Sequence, residues 1–256
     1  MPDICAPKLN HERVLSSGIQ ALSKTLRFKR AHTHTLAFMR VILFGASGMV
    51  GRGVLRECLL DPEVESVLSI GRSTTSIKHP KLREILRDNL FDFSDIEPEL
   101  KDYDACFFCL GVSSVGMKEE QYRRITFDIT LAAAKTLAKL NPEMTFIYVS
   151  GMGTDSTESR RTMWARVKGR TENALLQLPF KAYMFRPAGI VPMHGIQSKT
   201  KLYRLFYALL TPMMPLLYAW FPKYVTTTEQ VGRAMIKIAK EGASKRVLEN
   251  IDINQL

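Results

Sequence analysis

Arg40-Val-Ile-Leu-Phe-Gly-Ala-Ser-Gly-Met-Val-Gly51 is the stretch on which the fold turns. A short, mostly apolar run from Arg40 to Phe44 is followed by glycines at 45, 48 and 51, and a helical pattern then continues through Leu60. A strand that passes through Gly-x-x-Gly-x-x-Gly into a helix carries the spacing of a dinucleotide-binding turn. The first glycine permits the tight turn, the second lets backbone approach a pyrophosphate, and the third lets helix and strand pack closely. Phosphates then meet N–H groups that the first turn of the helix leaves unpaired. The pattern makes Gly45, Ala46, Ser47, Gly48, Met49, Val50 and Gly51 the candidate cofactor-binding residues. A Walker-type loop is excluded, because no G-x-x-x-x-G-K-[ST] occurs.

Working outward, strand and helix alternate. Apolar runs at 64–70, 81–87, 103–110, 144–150 and 181–185 read as strands, and 119–140 and 162–178 read as helices. Such alternation implies parallel pairing with right-handed crossovers. The expected fold is α/β, a doubly wound parallel sheet of Rossmann-like type with a small helical C-terminal substrate lobe. One domain is expected over 39–256, with 190–225 as the substrate lobe or an interfacial segment.

The end of the second strand reads the cofactor. An NAD site places a carboxylate there for the ribose hydroxyls, whereas an arginine accommodates a 2′-phosphate. Here the sequence is Ile70-Gly71-Arg72-Ser73, with no acid nearby. Arg72 offers a planar fork for phosphate and Ser73 a hydroxyl, so NADP(H) is preferred over NAD(H). Asp88 and Asn89, just past the third strand, are candidate contacts on the adenine side.

Composition narrows the class. The 256 residues are 46% hydrophobic and 24% charged, which is the balance of a globular chain rather than a disordered, collagenous or coiled-coil one. A net charge of +11 favours anionic partners. Residues 1–38 carry six basic residues against Asp3 and Glu12, with no apolar signal-peptide core, so a cytoplasmic rather than secreted protein is expected. The stretch from Ser16 to Arg30 has some of the composition of an organellar transit segment. Met39 directly precedes the first strand, so the folded unit is expected to start there, after a disordered leader or an over-long start.

Cys106 and Cys109 form a C-x-x-C, but within a strand positions three apart point to opposite faces. Only His79 and His194 lie outside the leader, so no metal site is expected. Arg160, Arg161, Arg166 and Arg170 read as a solvated face, and no nucleic-acid motif accompanies them. The stretch from Leu205 to Phe221 holds no charged residue and is flanked by Lys199, Lys201, Arg204 and Lys223. Pro212 and Pro215 interrupt it, which disfavours a spanning helix. It reads as a pocket wall, or as an interfacial anchor making peripheral membrane contact.

Gly45-x-x-Gly48-x-x-Gly51, Cys109-Leu-Gly111, Tyr148-Val-Ser150, Lys168 and Arg186-Pro187 occur here in the order of the short-chain dehydrogenase/reductases. The likeness covers about residues 40–192. It resembles most the atypical, epimerase-like branch that includes the NmrA-like and Tat-interacting-protein-like NAD(P)-binding proteins. The resemblance implies a catalytic Ser, Tyr and Lys, with Tyr four residues before Lys, and cofactor contacts at Gly111, Lys168 and Pro187. Ser150 and Lys168 match, whereas the tyrosine position holds Trp164. Indole has a donor but no titratable oxygen, so Trp164 cannot pass a proton to a carbonyl. Three functions compete: an NADP(H)-dependent oxidoreductase or epimerase-like enzyme acting on a small or apolar carbonyl compound, with Ser150 orienting the substrate and water supplying the proton; a non-catalytic NADPH-binding redox sensor or interaction module; and a membrane-peripheral protein with a lipid-like substrate.

Overall fold

The computed structural model describes residues 38–196 and 223–256. The leader and the stretch from Leu205 to Phe221 lie outside the described residues, and with them most of the expected substrate lobe.

Seven parallel strands build the central sheet. Along the chain they are β1 (Met39–Phe44), β2 (Val64–Gly71), β3 (Leu82–Leu86), β4 (Ala105–Phe108), β5 (Thr145–Val149), β6 (Lys181–Arg186) and β9 (Val247–Glu249). Their spatial order is β3-β2-β1-β4-β5-β6-β9. The doubly wound, Rossmann-like α/β sheet expected from the alternation is therefore present. A separate two-stranded parallel sheet pairs β7 (Gly189–Val191) with β8 (Val225–Thr227), so the ends of the 190–225 region are strands rather than helices.

Among the described residues the helices are α1 (Met49–Leu60), α2 (Glu119–Arg123), α3 (Ile129–Leu140), α4 (Met163–Leu176), α5 (Thr228–Glu241) and α6 (Asn250–Gln255). A π turn at Arg124–Asp128 joins α2 to α3, so the single helix expected over 119–140 carries a bulge. Such bulges concentrate at functional sites. The 3₁₀ turn at Ser94–Leu100 and everything from β8 onward went unread in the sequence.

Alternation along each strand divides the core in two. Ile42, Phe44, Cys106, Phe108, Phe146 and Tyr148 face α3 and α4. Val41, Leu43, Ala105, Phe107, Ile147 and Phe185 face α1, α5 and α6. On the first face, the rings of Phe44, Phe108, Phe146 and Phe180 follow one another at centroid distances of 5.0, 5.9 and 5.0 Å. Cys106 lies in the first layer and Cys109 packs on the second, and burial raises both thiols well above their ordinary range.

Gly169 fixes how closely α4 approaches the loop after β5. A Cβ there would lie 1.7 Å from the backbone oxygen of Asp155, which no rotamer change relieves. Gly169→Ala should therefore destabilise the protein by about 3 kcal/mol or more, at or beyond the upper end of overpacking costs. At Gly71 nothing lies within 4 Å of the added atom, so Gly71→Ala should unfold within about 1 kcal/mol of wild type. Urea denaturation of the two variants checks the contrast; equal midpoints would contradict the account of Gly169.

Candidate dinucleotide cleft and catalytic positions

In the order β3-β2-β1-β4-β5-β6, the winding reverses between β1 and β4, and a cleft opens beyond their carboxyl ends. The glycine turn lines it. Gly45 has φ of 80°, and a Cβ on it would meet the Cys109 carbonyl group at 2.7 Å. A Cβ on Gly51 would lie 2.1 Å from the Gly45 oxygen. The Gly48 N–H donates to that same oxygen at 2.9 Å. The N-cap of α1, Gly48, has no side chain to cap the helix and no acid stands in its first turn, so the positive end of the helix suits an anion.

A cavity of about 240 Å³ lies over this turn, lined by Gly45, Ala46, Ser47, Gly48, Arg72 and Ser73 among others, and also by Gly111. Ser73 Oγ donates to Ser47 Oγ at 3.0 Å, tying the end of β2 to the turn. Met49, Val50 and Gly51 contribute the first turn of α1 but do not line the cavity. A second cavity, of about 460 Å³, shares Arg72, Leu110 and Gly111 with the first and extends to Asp88, Phe91 and Arg124. Asp88, expected on the adenine side, lines this second cavity. Asn89 does not line the cavity: its Oδ1 accepts the Phe91 N–H at 2.9 Å and shapes the turn that brings Phe91 there. Phe91 and Arg124 were not read from the sequence, and only the bulge in the helix reveals the second.

Beyond β5, the expected catalytic positions lie together, but not as the resemblance implies. Trp164 and Lys168 sit one turn apart on α4. The Trp164 ring covers Gly153, where an added Cβ would be 3.3 Å from Cη2. Lys168 Nζ donates to the backbone oxygen of Ser150. Neither Lys168 nor Pro187 lines the two cavities; the Pro187 oxygen accepts the Met152 N–H at 2.9 Å and holds this loop to β6.

Ser150 was expected to present its hydroxyl to a substrate, yet it is 3% exposed and its Oγ contacts Glu172 Oε1 at 2.5 Å. Strand alternation is the cause: Ser150 follows Tyr148 and Phe146 onto the α4 face of the sheet. The side chain of Glu172 is 1% exposed, and Arg186 grips it with two hydrogen bonds, Nε to Oε1 at 3.0 Å and Nη2 to Oε2 at 2.5 Å. Arg186 also reaches Glu249 at 3.1 Å and Ser156 at 2.5 Å. Sequence reading missed Glu172, although an acid four residues after Lys168 on the same helix face was a usable signal.

The neighbouring groups are poor proton carriers, with one exception. Burial raises the Tyr148 hydroxyl well above its ordinary range. Asp155, held by hydrogen bonds from the Thr157 side chain and from the backbone of Arg160, Thr157 and Ser159, is lowered to about 2 and stays ionised. Burial lowers Lys168 to about 8, with Glu172 opposing the shift. Lys168 is therefore the group beside Trp164 that titrates near neutrality.

The basic cluster beside the site is divided. Arg166 bonds Glu119 at 2.5 Å, Arg170 lies over the Phe127 ring, and Arg160 and Arg161 are exposed. Among the described residues, Glu57, His194 and Glu229 bring three ligand-type atoms within 4.8 Å of one another. Arg56 and Arg233 already pair with Glu57, and Arg233 also with Glu229, so the charge there is compensated without a cation.

The sheet and the cleft share the fold of solved structures of the short-chain dehydrogenase type. Among solved structures, the Bordetella bronchiseptica enzyme WbmF in complex with NAD+ is 16% identical with a TM-score of 0.61, covering 86% of this chain and 77% of that one. A short chain dehydrogenase family protein from Francisella tularensis is 13% identical at 0.60, covering 83% and 96%. In sequence, the chain is 26% identical over 218 residues to Protein HTATIP2 of Rattus norvegicus, covering 82% of this chain and 86% of that protein. It is 26% identical over 211 residues to the mitochondrial protein FMP52 of Meyerozyma guilliermondii, covering 79% and 86%. Leucinostatins biosynthesis cluster protein T of Purpureocillium lilacinum is 28% identical over 178 residues, and there the match spans just 65% of the relative's length. No family model matches. The chain thus shares its fold with these solved structures and has a sequence likeness of 26–28% to these relatives. No helix among the described residues is long and apolar enough to cross a membrane.

Two outcomes follow from the buried groups. Arg186→Ala strands the Glu172 carboxylate and should cost about 3–5 kcal/mol in urea unfolding, whereas replacing both partners by apolar residues should cost far less. A cost for the double variant equal to that of the single one would argue against the pair. For Lys168, the folded value of about 8 lies below the roughly 10.4 of an unfolded lysine. Between those values the unfolded chain holds the proton and the folded chain releases it, so Lys168 makes stability rise with pH across that window. Wild type should gain stability there relative to Lys168→Met; parallel pH profiles would contradict the shift.

Proposed function

We propose that this protein is an NADP(H)-binding oxidoreductase of the epimerase-like type, acting on a small or apolar carbonyl compound without a Ser–Tyr proton relay. The observation that carries it is the glycine turn pressed against β4 and the uncapped start of α1, continuous with a cavity that Arg72 and Ser73 line. These residues fit a dinucleotide: Gly45 and Gly51 leave no room for a Cβ, and α1 starts from Gly48, an N-cap with no side chain. The proposed holding set is Gly45, Ala46, Ser47, Gly48, Met49, Val50 and Gly51 for the pyrophosphate. Arg72 and Ser73 take the 2′-phosphate, Asp88 the adenine side, and Gly111, Lys168 and Pro187 the nicotinamide side. When bound, NADP(H) supplies or accepts hydride at the carbonyl carbon of the substrate.

The chain's own residues set the rest. Trp164 covers Gly153 and offers only an indole N–H. The Ser150 hydroxyl is engaged by Glu172. Proton supply therefore falls to water or to the ammonium of Lys168. Loss of a positioned acid forfeits about 10²–10⁴-fold in rate, so turnover is expected to be slow. The same two observations favour a second reading, a non-catalytic NADPH-binding sensor or interaction module. For the compartment, the FMP52 relative is mitochondrial by name, and the basic stretch from Ser16 to Arg30 is suited to carry such an address. Imaging a fluorescent fusion of the full chain distinguishes that from the cytoplasm.

Arg72→Ala should weaken NADPH by about 10-fold or more and NADH by much less, since a hydrogen-bonded charge pair contributes about 1.5–3 kcal/mol. Equal losses in a fluorescence titration would refute the 2′-phosphate assignment. A carbonyl-substrate screen of wild type beside Trp164→Tyr separates the two readings. Turnover that rises in the variant supports a weakened enzyme, and none in either supports the sensor.

A further inference from the structure

We propose that Arg124 is a second phosphate anchor of the cleft, which with Arg72 grips the 2′-phosphate side of an adenine nucleotide and so sets the preference between NADP(H) and NAD(H). This inference rests on the dinucleotide reading above and extends it to a second arginine that lines the same cavity.

The cavity of about 460 Å³ is mainly apolar, with Leu90, Phe91, Val112, Ile125 and Ile129 on its walls. Its charged lining residues are Arg72, Asp88 and Arg124. Flat apolar walls suit a purine ring, whereas two guanidinium groups against one carboxylate leave a positive excess that suits a doubly charged phosphate. Arg72 enters from the end of β2. Arg124, the first residue of the π turn, lines the same cavity.

Three observations fit Arg124 to this task. Its guanidinium carbon lies 5.1 Å from the centre of the Phe91 ring, a contact that orients a cation without neutralising it. Phe91 is itself held by the Asn89 side chain. Neighbouring arginines are spent on carboxylates: Arg123 on Asp128 at 2.8 Å, Arg87 on Asp95 at 2.9 Å and Arg166 on Glu119 at 2.5 Å. Among the described residues, no ion pair joins Arg124 or Arg72 to a carboxylate. Finally, the π turn adds backbone to the helix where it borders the cavity, and Gln121, Arg124, Ile125 and Ile129 all face into it.

The test is calorimetric titration of the full chain with adenosine 2′,5′-bisphosphate and with adenosine 5′-monophosphate, followed by NADPH and NADH. Arg124→Ala and Arg124→Gln should each weaken the bisphosphate and NADPH by about 10-fold, with the monophosphate and NADH changed less than about 3-fold. Phe91→Leu, which keeps the apolar wall but removes the ring beneath the cation, should give a smaller loss of the same selectivity. Equal weakening of both ligand classes would reduce Arg124 to a general wall of the adenine site and overturn the proposal. So would unchanged binding of all four ligands. Failure of wild type to bind any of them would overturn the dinucleotide reading itself, an outcome distinct from loss of selectivity alone.

Discussion

Everything at the functional end of this molecule depends on one close contact, that of the Gly51 backbone with the Gly45 carbonyl. A Cβ at Gly51 would stand 2.1 Å from that oxygen, and one at Gly45 would run into the backbone of Cys109 and Leu110. Because neither atom exists, α1 starts directly beneath the turn and β4 closes against it. That places an uncapped helix start at the point where the sheet reverses its winding. The phosphate end of the cleft is therefore a product of backbone approach more than of any side chain.

Beyond β5, side-chain chemistry has been turned inward. Glu172 is buried, and a buried carboxylate needs both a cation and hydrogen bonds to be tolerated. Arg186 supplies two of these and Ser150 a third. The hydroxyl that a short-chain dehydrogenase would show to its substrate is thereby enlisted in stabilising the core. Lys168 remains beside the loop through the Ser150 carbonyl, and Trp164 covers Gly153 where a tyrosine hydroxyl would be expected. The cleft thus keeps the features that suit a dinucleotide, while the candidate catalytic positions depart from the expected set, which is why cofactor binding carries the functional reading further than catalysis does.

Much of this was legible in the chain because it rests on local patterns. The strand, the three glycines and the helix from Arg40 to Leu60 were readable from spacing, as were six of the seven sheet strands, since each is a short apolar run between turns. The missed elements are polar or brief. α5 begins with Thr-Glu-Gln and has an apolar face only in projection, and β9 has three residues. Arg72 stands out as a candidate by its place after β2. Arg124 does not, because its position at the cavity depends on a π turn, and no residue from Arg124 to Asp128 announces one.

The sequence by itself determined the alternation of strand and helix, the glycine turn and the absence of a tyrosine four residues before Lys168. These are properties of neighbours along the chain, where periodicity and steric size act directly. Only the tertiary structure decided that Ser150 faces Glu172, that Arg186 reaches it from another strand, and that Phe91 and Arg124 meet across a cavity. Each of those contacts joins residues well separated in sequence, and each depends on which side of a strand or helix the crossovers bring face to face. That choice is settled by packing the two apolar layers around one sheet, a constraint no local window of sequence contains.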